Sequence, residues 1–144
     1  MKLSLFLLMP ALLCVLLIVT GVGVSRAEQV NQPIGQFITV NGVKLHYVMA
    51  GDGPGLVLVH GASSNLREFN SSILPILAKT HRVIAFDRPG YGFSERPSEE
   101  KAWLNPAQVA ALLLDASAAL GVNKPTLVGH SWAGSVVMAA MVNM

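Results

Sequence analysis

The fold of this chain is indicated most clearly by one stretch, Gly129-His130-Ser131-Trp132-Ala133-Gly134. It follows a short apolar run, residues 126–128, and precedes a helix-compatible apolar run, residues 135–141. A strand, a tight turn with a serine at its tip and then a helix form the context in which such a serine becomes a candidate nucleophile. The stretch therefore predicts a strand-to-helix elbow with Ser131 at the tip.

Small residues flank the serine, as such an elbow requires. The turn packs its strand closely against its helix, which leaves little room for side chains at Gly129 and Ala133. Ala133 replaces the commoner glycine, and a lone match of this kind is also found around ordinary turn serines. Ser131 is therefore either a nucleophile or an ordinary turn serine, and the sequence outside the elbow distinguishes the two interpretations.

Two β-prone runs, residues 36–40 and 44–48, precede the elbow and are joined through Asn41-Gly42. Asn-Gly between such runs favours a β-hairpin, because both residues tolerate positive φ. After a glycine-rich turn, residues 56–59 form an apolar run without alternation. Such a run is typical of a strand covered on both faces.

Helical and strand patterns alternate after this run. Residues 65–79 predict a helix that Pro75 kinks or divides, and residues 83–86 predict a second buried strand. Asn105-Pro106 resembles a helix start, and Gly121 resembles the residue after the helix end. The pattern predicts an α/β fold: a mostly parallel sheet with an N-terminal antiparallel hairpin.

Composition excludes several kinds of site. The 144 residues carry a formal net charge of only +2 and no run of like charges, so the sequence gives no reason to expect nucleic-acid binding. Cys14 is the single cysteine, which excludes a disulfide within one chain and a cysteine-based metal site. The oligomeric state is open.

The first 27 residues read as a signal peptide or a signal anchor. Residues 3–24 are almost continuously apolar behind Lys2, and small residues at Ser25 and Ala27 suit signal-peptidase cleavage after Ala27. About 20 apolar residues also suffice to span a bilayer, so an uncleaved leader would contact the membrane. Both interpretations predict that the domain is exported and is secreted, periplasmic or anchored to the membrane. Residues 28–35 are the predicted linker, and residues 36–144 are the predicted domain.

Three segments follow the predicted parallel strands, and together they resemble motifs of the α/β-hydrolase superfamily. They are His-Gly-Ala-Ser-Ser-Asn at residues 60–65, Asp-Arg-Pro-Gly-Tyr-Gly-Phe-Ser at residues 87–94, and the elbow. Their order and their position at strand ends resemble the esterase-like, epoxide-hydrolase-like and dehalogenase-like branch. The resemblance covers nearly all of the chain after the leader.

The resemblance implies roles for individual residues. Ser131 corresponds to the nucleophile, and the backbone N–H groups of Ala62 and Trp132 correspond to the oxyanion hole. In branches acting on epoxides or haloalkanes an aspartate typically stands at the nucleophile position. A serine there favours acyl transfer on a small-molecule substrate of the ester type, chemistry that needs no metal or organic cofactor.

Other residues in these segments are expected to support the site. By resemblance, His60 and Gly61 brace the oxyanion loop, and Gly129 and Ala133 allow the elbow to form. Asp87 ends a buried strand beside a glycine-rich turn, so it is expected to hold that loop by hydrogen bonds.

The other three histidines of the chain are expected to have no direct catalytic role. His130 is adjacent to Ser131 and is expected to direct its side chain away from the turn. His46 and His81 are expected to be solvated or strand-edge residues.

A catalytic acid and base are expected after the nucleophile, in the order serine, acid, histidine. Residues 132–144 contain no Asp, Glu or His. The sequence therefore predicts a hydrolase sheet truncated after the elbow, an incomplete chain that is inactive alone. The alternative is a catalytically inert, membrane-anchored binding module of hydrolase ancestry.

Overall fold

The computed structural model describes residues 10, 12–22, 32–97 and 104–143. The chain divides into two compact units, Met1–Pro33 and Ile34–Met144. In the first unit residues 12–22 are helical and solvent-exposed. Within the described part of the chain, no helix is both long enough and apolar enough to cross a bilayer. The predicted cleavage site lies outside the described residues, so the leader and the domain boundaries remain predictions.

The second unit is built on one five-stranded mixed sheet with the order β1-β2-β4-β3-β5. β1 and β2 pair antiparallel, β2 pairs antiparallel with β4, and β3 runs parallel to both β4 and β5. This arrangement confirms the predicted parallel sheet with an N-terminal antiparallel hairpin. The strands are β1 (Gln36–Val40), β2 (Val43–Ala50), β3 (Gly55–Val59), β4 (Arg82–Phe86) and β5 (Thr126–Gly129).

Four α-helices flank the sheet in the described part of this unit. They are α1 (Arg67–Asn70), α2 (Leu74–Leu77), α3 (Pro106–Ala119) and α4 (Gly134–Asn143). The predicted helix over residues 65–79 is thus two short helices separated by a turn at residues 71–73. Pro75 lies in the first turn of α2, where its missing N–H has no intrahelical partner to lose.

The central strands are covered on both faces, as their apolar runs predicted. Val57 and Val59 of β3 face the cluster that contains α3 and α4 residues such as Leu113 and Val136. Leu56 and Leu58 face the opposite cluster, which contains apolar residues of the segment with α1 and α2. Side chains alternate between the faces of a strand, so each central strand contributes to two cores.

Local sequence signals determine the ends of several elements. Asn41 and Gly42 both have positive φ, 51° and 76°, as the tight hairpin turn between β1 and β2 requires. Asn105 caps α3 by accepting a hydrogen bond from the Gln108 N–H, and the Gln108 side chain reciprocates. Gly121 follows α3 with φ of 79°, so the predicted helix start and end are both observed.

Candidate active site

Ser131 occupies the tip of a sharp turn between β5 and α4. Its φ is +53°, a left-handed conformation that disfavours residues with a Cβ. His130 before it is still extended, and a single 3₁₀ turn, Ser131–Ala133, leads into α4. Ser131 is solvent-exposed. The predicted strand-to-helix elbow is therefore present, with a strained and accessible serine at its tip.

The elbow depends on the small residue before the turn. A Cβ added to Gly129 would lie 2.5 Å from the Ala133 carbonyl oxygen and 2.9 Å from Val137 Cγ2, so no larger residue fits. Ala133 is fully buried, whereas an added Cβ on Gly134 would meet no atom within 4 Å. The close approach of β5 to α4 thus limits the residue at position 129 and leaves position 134 tolerant.

The loop after β3 packs directly against the elbow. A Cβ added to Gly61 would lie 3.2 Å from Ser131 Cβ and 3.3 Å from the His130 carbonyl oxygen. The His130 N–H donates to the Val59 carbonyl at 3.0 Å, which continues the pairing of β3 and β5 into these loops. Gly61 is therefore the point at which the loop of residues 60–65 reaches Ser131.

His60 connects this loop to the loop after β4. It is fully buried, its Nδ1 lies 2.9 Å from the Gly61 carbonyl oxygen, and its Nε2 accepts a hydrogen bond from the Arg88 N–H at 3.0 Å. Because Nε2 accepts, Nδ1 carries the proton and donates to Gly61. Burial lowers the pKa of His60, and the nearby Arg88 charge adds to this effect. His60 is thus a neutral bridge between loops, with both ring nitrogens occupied.

Arg88 lies at the centre of the site, a position that the sequence analysis did not single out. Its side chain is only 3% exposed, and Nη2 donates to the Gly61 carbonyl at 2.9 Å. Its Cζ lies 4.1 Å from the Tyr91 ring centroid and 4.3 Å from that of Trp132. Burial lowers the pKa of Arg88, although a guanidinium remains protonated at neutral pH. A buried cation therefore stands beside the elbow.

Asp87 holds the loop after β4 through one hydrogen bond within the loop and hydrogen bonds to two other segments. Its Oδ1 accepts from the Leu66 N–H at 2.7 Å, and its Oδ2 accepts from the Phe93 N–H at 2.8 Å. His46 Nδ1 lies 2.8 Å from the same Oδ2, and His46 Nε2 accepts from the Gly35 N–H. Both acceptor oxygens of this buried carboxylate are occupied.

The expectation that His46 is solvated or at a strand edge is wrong. Its side chain is 1% exposed, and it lies on the inner hairpin strand β2, which pairs with both β1 and β4. Its Nδ1 donates to Asp87, because Nε2 is an acceptor. His81, by contrast, is partly exposed and contacts Thr80 Oγ1.

The His130 side chain leaves the turn toward α1. Its Nδ1 lies 3.1 Å from Glu68 Oε1, and the Glu68 carboxylate also accepts a hydrogen bond from Ser64 Oγ. His130 is 66% exposed, so this contact is a weak one in stability terms. The contact adds a second link between the elbow and the loop of residues 60–65.

A cavity of about 380 Å³ opens beside the elbow. It lies on the side of the loop after β4, and Trp132 of the elbow contributes to its wall. Its lining combines aromatic, aliphatic and cationic side chains: Arg88, Pro89, Gly90, Tyr91, Arg96, Pro97, Leu104, Val109 and Trp132. A small organic molecule fits a volume of this order.

The three predicted loops converge at the carboxyl ends of β3, β4 and β5, where ligands collect in open α/β sheets. Ala62 and Trp132 are both exposed at this edge. Among the described residues, no cluster of three or more His, Cys, Asp or Glu side chains is arranged to hold a metal ion. The site therefore consists of one strained serine, two candidate backbone donors and a buried cation.

Comparison with known proteins agrees with this architecture. Residues 54–142 match the family described as the alpha/beta hydrolase fold. The chain belongs to the α/β-hydrolase fold family. The match begins just before β3 and ends within α4, so it includes all three loops that form the site.

Individual relatives are hydrolases of several kinds. The chain is 37% identical over 97 residues to a soluble epoxide hydrolase of Corynebacterium sp. (strain C12), covering 67% of this chain and 32% of the relative. It is 31% identical over 123 residues to a 2-hydroxymuconate semialdehyde hydrolase of Pseudomonas sp. (strain CF600), covering 81% and 41%.

Among solved structures, Est816, described as an N-acyl homoserine lactone degrading enzyme, is similar with a TM-score of 0.66 and 27% identity. The similarity covers 75% of this chain and 40% of Est816. The chain thus spans about a third of the length of the curated relatives it matches.

Proposed function

We propose that Ser131 is the nucleophile of a hydrolase that acts on ester-like acyl substrates. The observation that carries the proposal is the conformation of Ser131, exposed with φ of +53° at the tip of the elbow and packed against Gly61. Left-handed non-glycine residues are costly and concentrate at functional sites. A hydrolase of this fold needs its serine hydroxyl raised above the sheet in this way.

The proposed reaction has two stages. Ser131 Oγ attacks the acyl carbonyl carbon, a base removes the hydroxyl proton, and the alcohol leaves with a proton to give an acyl-enzyme. Water then attacks the acyl-enzyme and releases the acid. During both stages the backbone N–H groups of Ala62 and Trp132 stabilise the oxyanion.

The general base in this proposal lies outside the described residues. His60 is buried, with both ring nitrogens hydrogen-bonded, and His46 is bound to Asp87. His130 directs Nδ1 to Glu68, away from the position that a base beside Ser131 needs. The chain spans about a third of its relatives' length. The hydrolase activity of the whole protein is therefore itself proposed.

The substrate class follows from the nucleophile. A hydroxyl forms an acyl-enzyme with esters and related acyl compounds, and this intermediate is readily hydrolysed. The similarity to an epoxide hydrolase supports the hydrolase class, and the similarity to Est816 supports a lactone or ester substrate. The cavity of about 380 Å³, with aromatic and aliphatic walls, favours a small organic acyl compound.

A fluorophosphonate probe tests the nucleophile in the protein as its gene encodes it. We expect the wild type to be labelled and Ser131→Ala to be unlabelled. Ser135→Ala is the matched control, because Ser135 lies four residues later on α4 and its Oγ donates to the Trp132 carbonyl. Labelling of Ser131→Ala at the wild-type rate would overturn the assignment. Absence of labelling in folded wild type would favour the inert binding module instead.

A further inference from the structure

Arg88 contacts both peptide segments that supply the proposed oxyanion donors. Its Nη2 donates to the carbonyl of Gly61, the residue before Ala62, and its guanidinium lies against the Trp132 ring. We propose that Arg88 is a positioning residue that orients and polarises the oxyanion hole. This inference rests on the proposed function and assigns to the same site a residue that lines the cavity of about 380 Å³ but does not carry the reacting atoms.

The first half of the argument concerns the peptide between Gly61 and Ala62. A peptide unit is planar and trans, so the Gly61 C=O and the Ala62 N–H point in opposite directions. Two donors hold that carbonyl, His60 Nδ1–H and Arg88 Nη2–H, each at 2.9 Å. Fixing the carbonyl in this way also fixes the Ala62 N–H, which points in the opposite direction within the peptide plane. Cationic donors form the stronger hydrogen bonds, and hydrogen-bonded chains polarise one another, so Arg88 also makes Ala62 a better donor.

The second half concerns Trp132, the residue after the nucleophile. The Arg88 Cζ lies 4.3 Å from the Trp132 ring centroid and 4.1 Å from that of Tyr91, both within cation–π range. Trp132 is 38% exposed, and the Arg88 guanidinium lies over its ring. Arg88 therefore links the peptide of one oxyanion donor to the side chain of the other.

Stability does not account for Arg88. Burying a cation costs desolvation free energy. Hydrogen bonds offset this cost only when all donors of the cation are paired. Arg88 is 3% exposed, yet its Nε has no hydrogen-bond partner among the described residues. An apolar side chain of similar size would fill the same space without this penalty. Arg88 is therefore better explained by an electrostatic role. A buried cation between the two proposed oxyanion donors would stabilise the negative charge of the transition state.

The test compares Arg88→Met, Arg88→Lys and Arg82→Met in the protein as its gene encodes it. Arg82 is the matched control, because its side chain is 39% exposed and pairs with Asp52 at the far end of β4. We measure kcat and KM with p-nitrophenyl butyrate, the second-order rate of fluorophosphonate labelling, and the thermal unfolding midpoint. Inhibition by a trifluoromethyl ketone reports affinity for the tetrahedral adduct.

Arg88→Met is expected to lower kcat and the labelling rate roughly 10- to 100-fold, with KM within about twofold of wild type. Trifluoromethyl ketone affinity should fall in proportion to kcat/KM, and the unfolding midpoint should not fall. Arg88→Lys should recover part of the loss, because it keeps the charge but loses the planar stacking. Arg82→Met should match wild type.

Wild-type kcat in a folded Arg88→Met protein would overturn the inference while leaving Ser131 as nucleophile. A rise in KM with unchanged kcat would also overturn it, since that pattern indicates ground-state binding. If Arg88→Met does not fold, the kcat of Arg88→Lys is the deciding measurement. A wild-type kcat in that variant would contradict the inference. Failure of the proposed function is seen separately, as equal labelling of wild type and Ser131→Ala.

Discussion

At the scale of single residues, the elbow stores strain at the position that does the proposed chemistry. A left-handed conformation costs a residue with a Cβ about 1–2 kcal/mol, and Ser131 carries that cost with φ of +53°. Glycine would adopt this φ without the penalty, and alanine would not. The serine is therefore explained by its hydroxyl and not by its backbone preference.

The first prediction compares two replacements of Ser131. Ser131→Gly should raise the free energy of unfolding by about 1 kcal/mol relative to Ser131→Ala, because glycine relieves the strained φ. Both variants should lose fluorophosphonate labelling. Urea denaturation of the two proteins under identical conditions measures the difference. If Ser131→Gly is less stable than Ser131→Ala, the turn is not strained in the way its φ indicates.

The second prediction follows from the lowered pKa of His60. A base whose pKa is lower in the folded state than in the unfolded state binds fewer protons when folded, so stability falls as pH drops. Burial lowers the pKa of His60, and the loss should begin below about pH 6.5, the unfolded value. Above that pH, His60 should not make the free energy of unfolding depend on pH.

Chemical denaturation between pH 5 and pH 8 measures this contribution. His60→Gln is the reference protein, because glutamine is polar and does not titrate, although it should be less stable throughout. The wild type should lose stability toward pH 5 more steeply than His60→Gln. Parallel curves for the two proteins would show that His60 is not the titrating group.

At the scale of elements, the loop after β4 is held by one buried carboxylate. Asp87 accepts hydrogen bonds from the Leu66 and Phe93 N–H groups and from His46. A Cβ on Gly92 would lie within 3 Å of the Asp87 carboxylate, so the loop closes tightly around this side chain. The loop that delivers Arg88 to the oxyanion hole is thus ordered by its neighbour Asp87.

The third prediction is that Asp87→Asn destabilises the protein by about 3 kcal/mol. An asparagine amide presents N–H groups where the carboxylate had an acceptor, so at least one buried donor loses its partner. Asp115→Asn is the matched control, because Asp115 is exposed and, among the described residues, accepts a hydrogen bond from Asn41 alone. Its effect should stay within about 0.5 kcal/mol. Equal effects of the two substitutions on thermal unfolding would contradict the anchoring role.

The elements themselves were largely predictable, because their signals are local. Asn41-Gly42 favours the hairpin by its own φ preferences, and Asn105 caps α3 with a partner three residues away. Pro75 predicted that the helix over residues 65–79 is kinked or divided, and the helix is divided. The break lies at residues 71–73, before the proline, because a proline in a first helical turn permits the helix to start there.

The partners of buried polar groups could not be predicted, because they depend on strand order. His46 lies 41 residues from Asp87, and it meets that carboxylate because β2 pairs with β4. Arg88 lies 27 residues from Gly61, and the two meet because β3 and β4 run parallel and end together. No local pattern distinguishes such an arginine from a solvated one in a loop.

At the scale of the whole molecule, the sheet has two edge strands in the described part of the chain, β1 and β5. Among these residues β5, which carries the elbow, pairs with β3 alone. Beside this edge, α4 exposes apolar side chains: Met138 is 62% exposed and Met141 is 68% exposed. An unpaired strand edge next to apolar surface favours association between chains.

The fourth prediction is that a polypeptide of residues 34–144, produced alone, self-associates through this edge and the exposed face of α4. The double variant Met138→Lys with Met141→Lys should reduce the association, because it adds charge without removing buried contacts. Ile76→Lys is the matched control, since Ile76 on α2 is 63% exposed and lies in the segment on the other face of the sheet.

Light scattering after size exclusion and binding of a hydrophobic dye report the association. The wild-type polypeptide and Ile76→Lys should both form oligomers and bind dye, and the double variant should shift toward monomer with weaker dye binding. A monomeric wild-type polypeptide, or equal dispersal by Ile76→Lys, would show that the β5 edge and α4 are not the surfaces that associate.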